Sequence, residues 1–187
     1  DAGANNIEVN RVSVWLYNET RTKIRCIDLF EQNSNQHSEG FEFLIASYPD
    51  YFQAIDADQT VIAHYPFNEA HTPSLVEPYL AEFGITSMLN TPIKLGGVTV
   101  GVLFLETVGE IHDWTPEDQN FARSLSNLVS LALEARERRR AEAARRASEE
   151  KLASAFRASP DPIALSTFPE KCYIEVNDSF CSFFGYE

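Results

Sequence analysis

Cysteine is scarce in this chain. Cys26, Cys172 and Cys181 are the only three among 187 residues, far apart and without CxxC or Cys/His metal spacing. That excludes a disulfide-stapled scaffold or a zinc ribbon and leaves free thiols in a reducing compartment as the expectation. Long apolar runs are missing too: the longest, around Val98–Leu105, is strand-sized and broken by Thr99 and Gly101, well short of a membrane span. Basic side chains are outnumbered, with 15 Lys and Arg against 28 Asp and Glu, and residues 1–133 hold 18 of the acids but 6 of the bases. So acidic a body disfavours nucleic acid and anionic membrane as partners. No leader-like segment is visible, and a cytoplasmic location is expected.

Catalytic patterns are also lacking. No HExxH, GxSxG or Gly-rich phosphate loop occurs, and His37, His64, His71 and His112 stand in no ligand spacing. No catalytic residue and no metal ligand is assigned, and no enzymatic activity is expected of these residues. Cofactors remain unassigned.

What is present is enough for a core: 44% hydrophobic and 12% aromatic residues. Alternation predicts a strand over Arg11–Tyr17, paired as a hairpin with a second around Ile24–Leu29. Gln32–Gly40 reads as a loop, followed by a short strand near Phe41–Ile45, a short helix from Pro49 towards Ile55, and a strand at Thr60–Tyr65. Leu75, Tyr79, Leu80 and Phe83 fall at helical spacing ahead of Gly84, a suitable stop. Ser87–Leu95 and Val98–Val108 form a hairpin around Gly96-Gly97. Thr115-Pro116-Glu117-Asp118 then supplies an N-cap, a proline at the first helical position and acids for the dipole. Nothing breaks the helix before Pro160, so Pro116–Ala158 is predicted as one element.

This helix has two characters. Phe121, Leu125, Leu128, Ala132 and Ala135 step by four and three, as on a face that docks on a sheet or on a second copy. Beyond Ala135 the seam thins to Leu152 among Arg138, Ala141, Arg145, Ser148 and Ala155, a weak coiled coil. A parallel homodimer through Phe121, Leu125, Leu128, Ala132 and Leu152 is expected, leaning on the apolar end. The arginine pairs of residues 138–146 are interleaved with Glu137, Glu142, Glu149 and Glu150, which reads as a solvated helix with i,i+4 pairs.

The segments RVSVWLYN, CIDLFE, HSEGFEF, YPDYF, YLAEFGITSML, PIKLGGVTVGVLFLE and WTPEDQNFARSLSNLVSLALE, in this order from about Val9 to Leu133, resemble a GAF domain. The resemblance implies an α+β fold: an antiparallel sheet of about five or six strands, helices on both faces and a small-molecule pocket on one. SPD at Ser159–Asp161, EVNDSF at Glu175–Phe180 and FFGYE at Phe183–Glu187 resemble the start of a PAS domain. RRAEAARRASEEKL between them is similar to the signalling linkers of bacterial two-component proteins, with Arg145 where leucine is common. The expected division is a sensor core at 1–114, a signalling helix at 115–158 and a PAS-like segment at 159–187.

The pocket so implied draws its lining from Tyr48, Phe52, Tyr65, Tyr79, Phe83 and Met88, with His64 and His71 as polar candidates. YLAEFGITSM is similar to the phytochrome segment that carries a Cys-His pair ahead of the tyrosine, but Leu75-Val76 stand at those positions, so covalent bilin is not expected there. Haem on His64 or His71 is a weaker alternative. A GAF-type methionine sulfoxide reductase is the enzymatic rival, and Cys26 lacks the resolving thiol that such chemistry uses. The function implied is non-catalytic sensing and dimerisation ahead of an output domain in the same chain, a histidine kinase, with a cyclic-dinucleotide synthase or phosphodiesterase as the alternative output.

Overall fold

A computed structural model describes residues 9–64, 79–170 and 172–186. Its first strand, β1 (Arg11–Tyr17), buries Arg11, Ser13 and Trp15 on one side by strict alternation. It pairs antiparallel with β2 (Lys23–Glu31), as the hairpin pattern requires. Against β2 lie two short edge strands, β3 (Gln36–Ser38) and β4 (Glu42–Leu44), each covering one end of it. After a short 3-10 turn come α1 (Pro49–Asp56) and β5 (Val61–His64). Residues 79–83 are helical. β6 (Ile85–Leu95) and β7 (Val98–Val108) then form the long hairpin. Gly96 and Gly97 take φ of +56° and +84°, the pair of positive angles that a two-residue hairpin turn needs.

The strands lie in the order β3-β2-β1-β7-β6-β5, with β4 also on β2, and the pairings are antiparallel. The reading of Gln32–Gly40 as loop is corrected, because Gln36–Ser38 pairs with Leu29–Glu31. That strand is exposed throughout and polar, so backbone hydrogen bonds alone define it and no alternation betrays it.

Helices cover both faces. One face buries Trp15, Phe104, Met88 and Leu80 with Tyr51, Phe52 and Ile55 of α1. The other buries Leu89 and Leu105 with Trp114 and Ala122. There α2 (Pro116–Ala158) begins, with the bounds the capping signals predicted. Thr115 Oγ1 accepts from Asp118 N–H at 3.2 Å and Asp118 Oδ2 accepts from Thr115 N–H at 2.9 Å, a reciprocal cap. Burial works against the Asp118 charge, but these bonds and His112 hold its carboxyl below the usual value. The docking side of α2 is made of small residues: Ala122 and Ser126 are buried, Leu125 is half-buried, and Ser126 Oγ donates to the Pro92 carbonyl at 2.6 Å. Phe121 and Leu128, from the same predicted stripe, are 51% and 62% exposed.

The chain divides into two compact units, Asp1–Glu134 and Ala135–Glu187. In the second, β8 (Ala164–Ser166) pairs antiparallel with β9 (Tyr173–Val176), and α3 (Asp178–Phe184) follows. Asn177, 1% exposed, ties this unit together: its Oδ1 accepts from Phe180 and Ile163 N–H, and its Nδ2 donates to the Phe156 and Asp161 carbonyls. Phe180 is buried, whereas Phe168, Tyr173, Ile174, Phe183 and Phe184 are exposed.

The β1–β7 pairing depends on Gly101, which lies opposite Leu16. A methyl group there would meet the Trp15 carbonyl oxygen and the Leu16 side chain. Gly101→Ala is expected to lower stability by about 1–3 kcal/mol or more, read as a shifted urea midpoint. An unchanged midpoint would contradict this register.

Candidate functional site

One row of side chains crosses the sheet through β6, β7, β1 and β2. Met88 is the register partner of Glu106, Glu106 of Arg11, and Arg11 of Glu31. Alternation puts Arg11 on the side of Trp15 and Glu106 on the side of Phe104, the face that carries α1 and residues 79–83. The Glu106 side chain is wholly buried and Arg11 is nearly so. Arg11 Nε lies 3.5 Å from Glu106 Oε2 and 3.6 Å from Glu31 Oε1. Tyr79 O–H donates to Glu106 Oε2 at 3.3 Å. The Arg11 guanidinium stands over the Phe83 ring, 4.5 Å from its centroid.

Hydrogen bonding leaves this cluster unfinished. Glu106 Oε1 and Arg11 Nη2 are buried without a partner. An ion pair in an apolar setting gives back its desolvation cost only when its remaining donors and acceptors are also bonded. Burial therefore pushes the Glu106 carboxyl up to about 7, against the pull of Arg11 and the Tyr79 hydroxyl. Burial and the neighbouring Glu106 likewise raise the Tyr79 phenol, which stays a donor. The arrangement can take or release a proton near neutrality and can receive a polar group, but it contains no nucleophile. Cys26 shares this core, and burial pushes its thiol up to about 11, so it is no thiolate at neutral pH.

Of the pocket residues expected from the sequence, Phe52, Tyr79 and Met88 are buried together on this face, with Tyr48 and Phe83 half-buried against them. Aromatic packing fills much of the space: Trp15 stacks on Phe43 and Phe104, and Tyr79 meets Phe43 edge-on. His64 follows Ala63, which points into this core, so alternation places it with Ile62 on the opposite side. Its Nδ1 is buried and unpartnered. Tyr65, His71, Leu75 and Val76 lie outside the described residues. His37 bonds Asp28 at 2.7 Å on the exposed edge, a local contact. Arg11 and Glu106 were not singled out from the sequence. The available signal was one charge in a core-facing position of each of two otherwise well-patterned strands, RVSVW and VLFLE.

An antiparallel sheet with helices on both faces and a buried polar cluster under one of them defines a GAF-type α+β domain. The chain belongs to the GAF domain family, whose sequence profile matches residues 2–133. A PAS domain profile matches residues 150–187. Among solved structures, the GAF domain of a two-component sensor histidine kinase from Bacillus halodurans is 22% identical, with a TM-score of 0.55 over 70% of this chain and 85% of that one. The phycocyanobilin-bound GAF domain of a cyanobacterial phytochrome is 13% identical, with a TM-score of 0.56 over 67% and 74%. Residues 122 to 287 of a methyl-accepting chemotaxis protein are 11% identical, with a TM-score of 0.56 over 70% and 80%. No curated protein matches the chain. At these identities the likeness is one of fold.

The Glu106 carboxyl makes stability depend on pH. Its folded value of about 7 lies above the ordinary 4.5, so the folded state holds more protons between these values, and stability falls as pH rises through that window. Asp118, held below 3.8, supplies stability that is lost only at lower pH. Glu106→Gln is expected to flatten the fall between about 4.5 and 7 in urea-midpoint profiles. A slope that survives the substitution would assign the proton to another group.

Proposed function

We propose that this chain is a non-catalytic sensory and dimerisation module of a bacterial signal-transduction protein. It acts in the cytoplasm, upstream of an output domain in the same chain, a histidine kinase. Among the described residues no helix is long and apolar enough to cross a membrane. The observation that carries the sensing reading is the incompletely bonded Arg11–Glu106–Tyr79 cluster, on the face opposite α2. A small molecule or a proton that completes its bonding changes the packing of β7. Neighbouring residues of β7 point to opposite faces, so Glu106 belongs to the sensing side while Leu105 packs with Ala122 and Leu125. One strand thus links the cluster to the docking seam of α2. Coupling of about 1–3 kcal/mol is ordinary for such a link. The 11–22% identity of the neighbours leaves the type of output open, and a cyclic-dinucleotide synthase or phosphodiesterase is the second reading.

Amide hydrogen exchange in residues 118–134 tests the relay. Glu106→Gln is expected to change protection there without unfolding the sheet, and unchanged protection would remove the cluster as the source of the signal.

The dimer contact is assigned to the exposed stripe Phe121, Leu128 and Ala132 of α2, with Leu152 beyond it. Burying a Leu or Phe side chain stabilises by about 1.5–3 kcal/mol, far more than the arginine-rich turns between them can offer. Leu125 is engaged with its own sheet, so the informative variant is Phe121→Glu with Leu128→Glu. This pair is expected to give a folded monomer in sedimentation, and a persisting dimer would move the interface elsewhere.

A further inference from the structure

A cleft lies on the opposite face of the sheet from the Arg11–Glu106 cluster, between α2, the end of β6 and the turn after α1. Its volume is about 270 Å³, and Asp58, Thr60, Thr91, Lys94, Arg123 and Asn127 line it. We propose that this cleft is a binding site for a small oxyanion, a carboxylate or a phosphate, held by the Arg123 guanidinium and the Thr91 hydroxyl.

Charge is the first argument. In a strongly acidic body, two of the six bases of residues 1–133 meet in this one cleft. Lys94 Nζ lies 2.6 Å from Asp58 Oδ2, so the single carboxylate of the lining is already neutralised. Among the described residues of this unit Arg123 and Arg25 make no ion pair, whereas Arg11, Arg21, Lys23 and Lys94 all do, and Arg25 lies on β2, away from the cleft. The cleft therefore carries one uncompensated positive charge on a planar fork that suits an oxyanion.

The buried wall is the second. Thr91 is 3% exposed, and its hydroxyl has no partner. A buried hydroxyl without a hydrogen bond is costly, and one at the edge of a polar cavity is satisfied by what enters it. The surrounding backbone is fixed in advance: Ser126 Oγ holds the Pro92 carbonyl at 2.6 Å, and Lys94 N–H donates to Ser130 Oγ at 3.2 Å. Such a site needs little reordering on binding. The volume falls below the usual range for drug-sized ligands, about 300–1,000 Å³, and suits a small anion better than a nucleotide. An occupant would bridge β6 and α2 and so bear on the helix directly. The site stands apart from the sensing reading, since it uses neither Arg11 nor Glu106.

Amide NMR titrations of the whole chain test it, with inorganic phosphate, malonate and chloride at matched ionic strength. Saturable shifts at Thr91, Arg123 and Asn127 are expected with phosphate or malonate and not with chloride, and the tighter of the two identifies a phosphoryl or a carboxylate source. Arg123→Gln, on an exposed helical position, is expected to weaken binding roughly tenfold or more. Thr91→Val is expected to weaken binding while leaving the thermal midpoint unchanged or higher, because the hydroxyl it removes is unbonded without the anion. The absence of saturable shifts with both oxyanions overturns the proposal. So does unaltered affinity in Arg123→Gln, or a lowered midpoint in Thr91→Val, which would show the hydroxyl to be engaged within the fold.

Discussion

The pairing of β1 with β7 is the contact on which the first unit depends. It joins strands from opposite ends of the domain, and both of its faces are used at once. On one side Trp15 stacks against Phe104 and Arg11 faces Glu106. On the other, Val12 and Leu105 join the seam beneath α2. The two backbones run so close at Gly101 that no side chain fits between them. Long-range strand pairs of this kind are entropically expensive to form, so apolar burial on both faces is what makes the pairing stable.

Within that frame Arg11 and Glu106 are a costly choice. Two apolar residues of similar volume would satisfy the same register without orphan atoms, and replacing buried ion pairs in this way is often neutral or stabilising. Here the carboxyl sits near its midpoint at neutral pH, with one carboxylate oxygen and two guanidinium nitrogens, Nε and Nη2, lacking a hydrogen bond. Destabilised buried groups of this kind concentrate where a protein binds or switches, which is why the cluster, and not the better-packed aromatic set around it, carries the functional reading.

Legibility in the sequence followed the strength of local signals. Pro116–Ala158 could be bounded because Thr115 and Pro116 mark its start and no breaker follows before Pro160, and the β6–β7 hairpin because Gly96-Gly97 admits few alternatives. β3 could not, since Gln36–Ser38 is a strand only by virtue of its partner. The apolar residues Phe52, Tyr79 and Met88 could be grouped from the sequence, and they pack in one core. The polar cluster could not. A charged residue at the start or end of a strand ordinarily reads as solvent-facing, and only the register that sets Arg11 beside Glu106 shows that both are buried.

The face of α2 that docks on the sheet explains why its larger side chains stay outside. Docking through Ala122 and Ser126 allows a hydroxyl to bond the β6 backbone directly, which a leucine at either position would prevent by holding the helix away. The cost is a seam with little apolar area, and so a helix whose attachment leans on a few polar contacts and on Leu125. Such attachment is directional but shallow. It fixes where the helix sits while leaving modest free energy between that position and a neighbouring one, which is the property a helix needs if events on either face of the sheet are to move it.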